Sequence, residues 1–316
     1  MLAKQKNIIN NKLSLLSQNF IKTLAYYDIF SYPLTKEEIF HNSHTNGDTK
    51  ESSLIEINNL VELGIIFHNN GYYSLCNNGQ YVRKRIAGNK RAIRKLKTAK
   101  YFSNIIAKFP YVRAVLVSGS LSKGYMDVDA DIDFFVITKP NRLWISRFSL
   151  MVFKKIFLLN SKKNFCINYY ITTNNLEIED KNIFIAIELA SLLPIYGSDF
   201  YDKLYSSNQW IKNYVPNYPM RETKNIKKFK LCLMQKIIEP LLDNKLGSHL
   251  DDYFMNLFYK YDKKRYFDYD EKSFNSAFKI RKNISTHHPD SFQNKVLHAL
   301  EQKILHLQIE HNILLI

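Results

Sequence analysis

Apolar residues recur with helical spacing at Phe20, Leu24, Ala25, Tyr27 and Ile29, which predicts an amphipathic helix as the first clear element. The pattern breaks at Ser31-Tyr32-Pro33. Thr35 then stands three residues ahead of Glu38 in "LTKEEIF", the spacing of a capping box, and predicts a second short helix. Leu54, Ile57, Leu60, Val61 and Leu63 make the inward stripe of a third helix over residues 52–63. Two short apolar runs, 65–68 and 72–75, flank Asn69-Asn70-Gly71, whose Asn-Gly supplies turn residues able to take positive φ; they predict a hairpin.

Three helices followed by a hairpin, ending in "LVELGIIFHNNGYYSL", resemble a winged-helix module over residues 1–80. That resemblance implies a fold more than a partner, because such modules contact proteins as well as DNA. Glu51, Glu56 and Glu62 surround the third helix and residues 52–63 contain no Lys or Arg, a poor surface for phosphates.

Residues 81–109 read as one long basic helix, the linker of a segment 81–110. Its cations form either a solvated face or a group that helps hold phosphates. Beyond Pro110 the pattern alternates: strand 112–117, a short helix after Ser120, strand 132–138, helix 142–159 and strand 165–172. Past Asp180 the periodicity is mostly helical, over 184–193, 228–242, 250–259 and 291–311, with a proline-bearing stretch at 213–219. The expected class is α+β, with a mixed-sheet core over 111–197 and a helical domain over 198–316.

The chemistry concentrates in "VSGSLSKGYMDVDADIDFFV", residues 117–136, where a chain of net charge +16 places Asp127, Asp129, Asp131 and Asp133 directly before an apolar run. A strand ending in Gly119-Ser120 before a short helix leaves backbone N–H groups where an anion can sit, with the Ser120 hydroxyl beside them. On the next strand Asp131 and Asp133 share one face, opposite Ile132 and Phe134. Two carboxylates so placed repel each other unless a cation lies between them, and Mg²⁺ takes one or two carboxylates together with substrate phosphates. Asp127 and Asp129 belong to the loop.

The stretch "GSLSKGYMDVDADID" resembles the signature of the nucleotidyltransferase superfamily that includes DNA polymerase beta and the minimal nucleotidyltransferases. The matching positions are Gly119, Ser120, Gly124, Asp131 and Asp133. The resemblance implies transfer of a nucleoside monophosphate, AMP from ATP being the leading choice, to a hydroxyl acceptor with release of pyrophosphate. It implies that Asp131 and Asp133 hold Mg²⁺ or Mn²⁺ and that Gly119 and Ser120 grip the terminal phosphates, with Lys123 adding charge. The family's third carboxylate, on the following strand, has no counterpart here. Asn168 is the one polar side chain at that place in "FCINYYI", and its amide oxygen can ligate a metal but cannot act as a base at neutral pH.

Three function classes therefore stay open: a transferase acting on a small or protein acceptor, a nucleic-acid-modifying transferase favoured by the charge, and a nucleotide-sensing or nucleic-acid-binding protein with a degenerate site. His287 and His288 precede the last helix and are either reaching groups or a capping loop. Forty-five Lys plus Arg against 29 Asp plus Glu favour polyanionic partners. The widely spaced Cys76, Cys166 and Cys232 predict reduced core thiols. The longest apolar runs are too short and too often interrupted to span a bilayer, and the N-terminus lacks the pattern of a signal peptide, so the expectation is a cytoplasmic protein without membrane partners.

Overall fold

The computed structural model describes residues 13–45, 47, 49–159, 163–287 and 292–315. They form a mixed α+β protein with two compact units, Met1–Arg85 with Lys212–Pro219 and Gln293–Ile316, and Ile86–Ile211 with Met220–Phe292. No helix among the described residues is long and apolar enough to cross a membrane.

In the first unit α1 (Leu15–Asp28), α2 (Lys36–Asn42) and α3 (Lys50–Glu62) precede the antiparallel hairpin of β1 (Phe67–Asn69) and β2 (Tyr72–Ser74). The capping box forms as its spacing requires: Glu38 N–H donates to Thr35 Oγ1 at 3.2 Å, and Thr35 N–H donates to Glu38 Oε2 at 2.9 Å. Phe20, Ile21, Ile39, Ile57 and Leu60 are fully buried, as the apolar stripes predict, whereas Leu63, expected on the inward stripe of the third helix, caps α3 and is exposed. Leu34, between α1 and α2, exchanges both backbone hydrogen bonds with Tyr73, so the hairpin gains a third, one-residue partner. Arg85, on α4 (Gly79–Ile106), lies over the Tyr32 ring at 3.7 Å and donates to Glu38 Oε1 at 2.5 Å.

The second unit is built on a six-stranded sheet. Its strands are β3 (Val112–Val117), β4 (Asp133–Thr138), β5 (Cys166–Thr172), β6 (Leu193–Tyr196), β7 (Ile280–Arg281) and β8 (Ile284–Thr286), in the order β6-β3-β4-β5-β8-β7. All neighbours are antiparallel except β4 and β5, whose parallel pairing uses the crossover helix α6 (Leu143–Phe157). Between β3 and β4 lies the single-turn α5 (Gly119–Ser122). The remaining helices are α7 (Ile183–Ser191), α8 (Ser198–Ser207), α9 (Leu233–Leu242), α10 (Lys245–Arg265) and α11 (Glu271–Ala277); the last helix, α12 (Phe292–His311), belongs from Gln293 onward to the first unit.

Every residue of β3 is buried, and Val115, Val117, Phe134, Val136, Trp144 and Phe165 belong to one core cluster. Helix α10 packs on α6, where Phe148 and Phe254 stack at 3.9 Å. Arg142, at the start of α6, offers no side-chain cap. Asp251 of α10 takes that role, accepting from Ile145 N–H at 2.9 Å. Strand β3 is tied to α9 by Arg113, which donates to both carboxylate oxygens of Glu239 at 2.9 and 2.7 Å; Glu239 Oε1 also accepts from Tyr111 N–H at 2.7 Å.

Three strands stand where the periodicity predicts helix or nothing. The helix expected over 184–193 stops at Ser191, and Leu193–Tyr196 becomes an edge strand on β3, with Pro194 at an edge where a missing N–H is tolerated. Residues 280–286 form β7 and β8 and extend the sheet beyond β5. The three cysteines are free, as expected, but half-buried rather than in the core.

Candidate active site

The buried strand β3 delivers the chain to Ser118, whose N–H donates to Asp133 O at 3.0 Å, so the Gly-Ser turn is fastened to the first residue of β4. Gly119 follows with φ +65°, and a Cβ built there would lie 2.7 Å from Asp133 Oδ2. Both the left-handed backbone and the close carboxylate require glycine. Ser120 is the second residue of α5, half-buried, and its hydroxyl takes no partner among the described residues.

Gly124 has a different reason to be glycine. Its φ is +72° and a Cβ there would meet nothing. Gly124 N–H donates to Leu121 O at 3.0 Å and Tyr125 N–H to Ser120 O at 3.1 Å, the paired bonds of a left-handed helix stop. The second glycine of the motif thus ends α5 and turns the chain toward the aspartates.

Asn168 is aimed by an irregularity in β5. In the β4–β5 register Phe134 pairs with Ile167 and Phe135 with Tyr169, so Asn168 is the extra residue of a bulge. Its amide Nδ2 donates to Asp133 Oδ1 at 2.7 Å, its Oδ1 accepts from Cys166 Sγ at 3.2 Å, and its carbonyl accepts from His287 N–H at 3.1 Å. Asn168 holds the carboxylate in place through its amide nitrogen.

Burial, then the charges of Asp131 and Glu188, push Asp133 up to about 7. Burial and the neighbouring Asp133 charge push the Cys166 thiol up to about 11, so it is protonated at neutral pH. No motif or spacing pointed to Glu188, which reaches the site from α7. Lys123 donates to Glu188 Oε1 at 2.7 Å and to Gly119 O at 3.3 Å, so its ammonium is held by a carboxylate beside the turn. Ser122 Oγ donates to Gly119 O at 2.8 Å, and Arg221 donates to Ser122 O at 2.9 Å.

The structure therefore brings Gly119, Ser120, Lys123, Asp133 and Asn168 together, with Asp131 close enough to raise Asp133. The donor set suits a hard cation: two carboxylates, with the charge of Asp131 disfavouring ionisation of Asp133, and no soft ligand in its charged form. Among the described residues no group of three or more His, Cys, Asp or Glu side chains is arranged to hold a metal. Two carboxylates supplemented by water and phosphate oxygens match what Mg²⁺ accepts.

His287 touches the site residue Asn168 through its backbone N–H, while its ring has other neighbours. Its ring packs against Phe278 at 5.2 Å and Tyr266 at 6.2 Å, with Nε2 3.9 Å from Asp262 Oδ1. His288 lies outside the described residues. Compared with family models, curated proteins and solved structures, the chain matches none of them.

Proposed function

We propose that the protein is a metal-dependent nucleotidyltransferase that moves a nucleoside monophosphate, AMP from ATP in the first instance, onto a hydroxyl acceptor and releases pyrophosphate. The observation that carries this reading is the fit of Gly119 against Asp133: a Gly-Ser turn whose backbone approaches a carboxylate too closely for any side chain, with Asp131 as that carboxylate's neighbour. Bound between Asp131 and Asp133, Mg²⁺ or Mn²⁺ would neutralise charge on the phosphates during an in-line displacement.

The chain's own residues divide the remaining work. The first amides of α5 have no intrahelical acceptor and, with the Ser120 hydroxyl, suit the terminal phosphates. Asn168 fixes the orientation of Asp133, and Lys123 contributes positive charge next to Gly119. The three-helix-and-hairpin order of the first unit supports the winged-helix reading of residues 1–80, and the mixed sheet supports a nucleotidyltransferase core. The test is pyrophosphate release from ATP with Mg²⁺ or Mn²⁺, in wild type and in Asp131→Ala plus Asp133→Ala. Release that is equal in the double variant rejects the proposal.

A second reading is a nucleotide-sensing or nucleic-acid-binding protein with a degenerate site. The Asn168 amide favours it, since both its polar atoms are already engaged and neither can accept an acceptor's proton. Asn168→Asp separates the two. Turnover that rises from undetectable to measurable assigns the native chain to the binding class; turnover already present in wild type and little changed assigns it to the enzyme class.

A further inference from the structure

A cleft of about 310 Å³ lies between α4 and the loop that follows α5, lined by Arg91, Arg94, Lys95, Thr98, Met126, Asp127 and Val128. The four α4 residues fall at i, i+3, i+4 and i+7, so they share one helix face. Three cations are thereby gathered opposite a single carboxylate, Asp127. That carboxylate is shared: Tyr125 Oη donates to it at 3.4 Å, Val128 N–H donates to it at 3.0 Å, and Arg91 Nη2 stands 3.9 Å away.

The cations are fixed to different degrees. Arg91 Nε donates to Met126 O at 2.9 Å and Lys95 Nζ to Asn164 Oδ1 at 3.0 Å, which ties the cleft walls to the loop and to the approach to β5. Met126 N–H donates to Gly88 O at 3.2 Å, closing the same wall from the other side. Arg94 is exposed and has no partner among the described residues. Gathering like charges in a preformed cleft raises its energy, and an anion placed among them relieves it.

Size and lining narrow the anion. Inorganic phosphate alone would leave most of the volume unfilled, because about 300 Å³ is where sites for small organic ligands begin. Met126 and Val128 supply an apolar wall beside the cations. The geometry points to a binding site for a phosphate ester of about mononucleotide size: its phosphate between Arg91, Arg94 and Lys95, its organic part against Met126 and Val128. The site rests on the residues of the cleft and not on the transfer reaction. Such an ester has two sources, a small phosphorylated metabolite or the phosphorylated end of a nucleic acid.

Two variants probe the cleft at exposed positions whose side chains make no internal hydrogen bond or ion pair among the described residues: Arg94→Glu, which reverses a cation, and Val128→Glu, which replaces part of the apolar wall with an anion. Binding is measured in EDTA and in an Asp131→Asn plus Asp133→Asn background, so that failure of the proposed transferase site and failure of this one are read separately. The probes are ribose 5-phosphate and a trinucleotide carrying a 5′-phosphate, followed by calorimetry at low and high salt. Expected is binding that weakens with salt and falls at least about tenfold in each variant, with unchanged melting temperatures. Tighter binding of the trinucleotide identifies the nucleic-acid source and equal binding the metabolite source; either supports the site. Absence of binding by both probes at millimolar concentration, or binding that neither variant weakens, overturns it.

Discussion

Gly119 and Asp133 meet so closely that the first carbon of any side chain at position 119 would stand 2.7 Å from the carboxylate Oδ2. The contact joins the end of β3 to the start of β4 and makes glycine a condition for the carboxylate's position. Gly119→Ala is expected to push Asp133 out of its place and to cost about 1–2 kcal/mol for the left-handed backbone. Gly124→Ala carries the same backbone cost but meets no atom. Comparing the two by thermal denaturation and pyrophosphate release should show the larger loss of stability in Gly119→Ala, with release abolished only there.

The burial of Asp251 sets a pH dependence. Burial lifts Asp251 from 3.8 to about 6, so between those values the folded chain keeps a proton that the unfolded chain has released. Stability from this group is therefore highest below about pH 4 and declines as pH rises through 6. Asp251→Asn retains an oxygen for the Ile145 N–H and removes the buried charge. Its stability curve should lose that slope and match or exceed wild type at pH 7, whereas Asp251→Ala should fall by about 1 kcal/mol for the lost cap. Denaturant melts at pH 4, 5, 6 and 7 check both.

Arg113 and Glu239 form a buried, doubly bonded ion pair that anchors α9 to β3. Glu239→Ala strands the guanidinium and leaves Tyr111 N–H without its acceptor, for an expected loss of about 3–5 kcal/mol. Replacing both partners, as Arg113→Met with Glu239→Met, should lose clearly less than the single change. Urea denaturation of the three proteins gives the comparison; equal losses would show that the pair is not the anchor.

The parts of this fold that were legible in the sequence are those where local signals agree. The Thr35 and Glu38 capping box and the apolar run 114–117 of β3 each announce themselves within a few residues, whereas Asp131, expected on the same strand as Asp133, lies in the loop just ahead of β4. Strands β6, β7 and β8 have four, two and three residues, too few for a period to show, and they exist because β3 and β5 offer unpaired edges. The site divides in the same way. Gly119, Ser120, Asp131 and Asp133 lie within one motif, whereas Glu188 arrives from 65 residues away to hold Lys123. Asn168 was visible as a polar residue in an apolar strand, but the bulge that aims it depends on the pairing of β4 with β5.

The pairing of β8 with β5 bears on how the protein is made. Thr172 N–H finds its acceptor in Asn283 O, 111 residues further along the chain. On the ribosome the strand carrying Asn168 must wait for that partner with one edge open, exposed to strands of other nascent chains. The catalytic-looking motif is thus translated early and walled late, and the rate at which residues 280–286 emerge and dock governs how long the growing chain is open to aggregation.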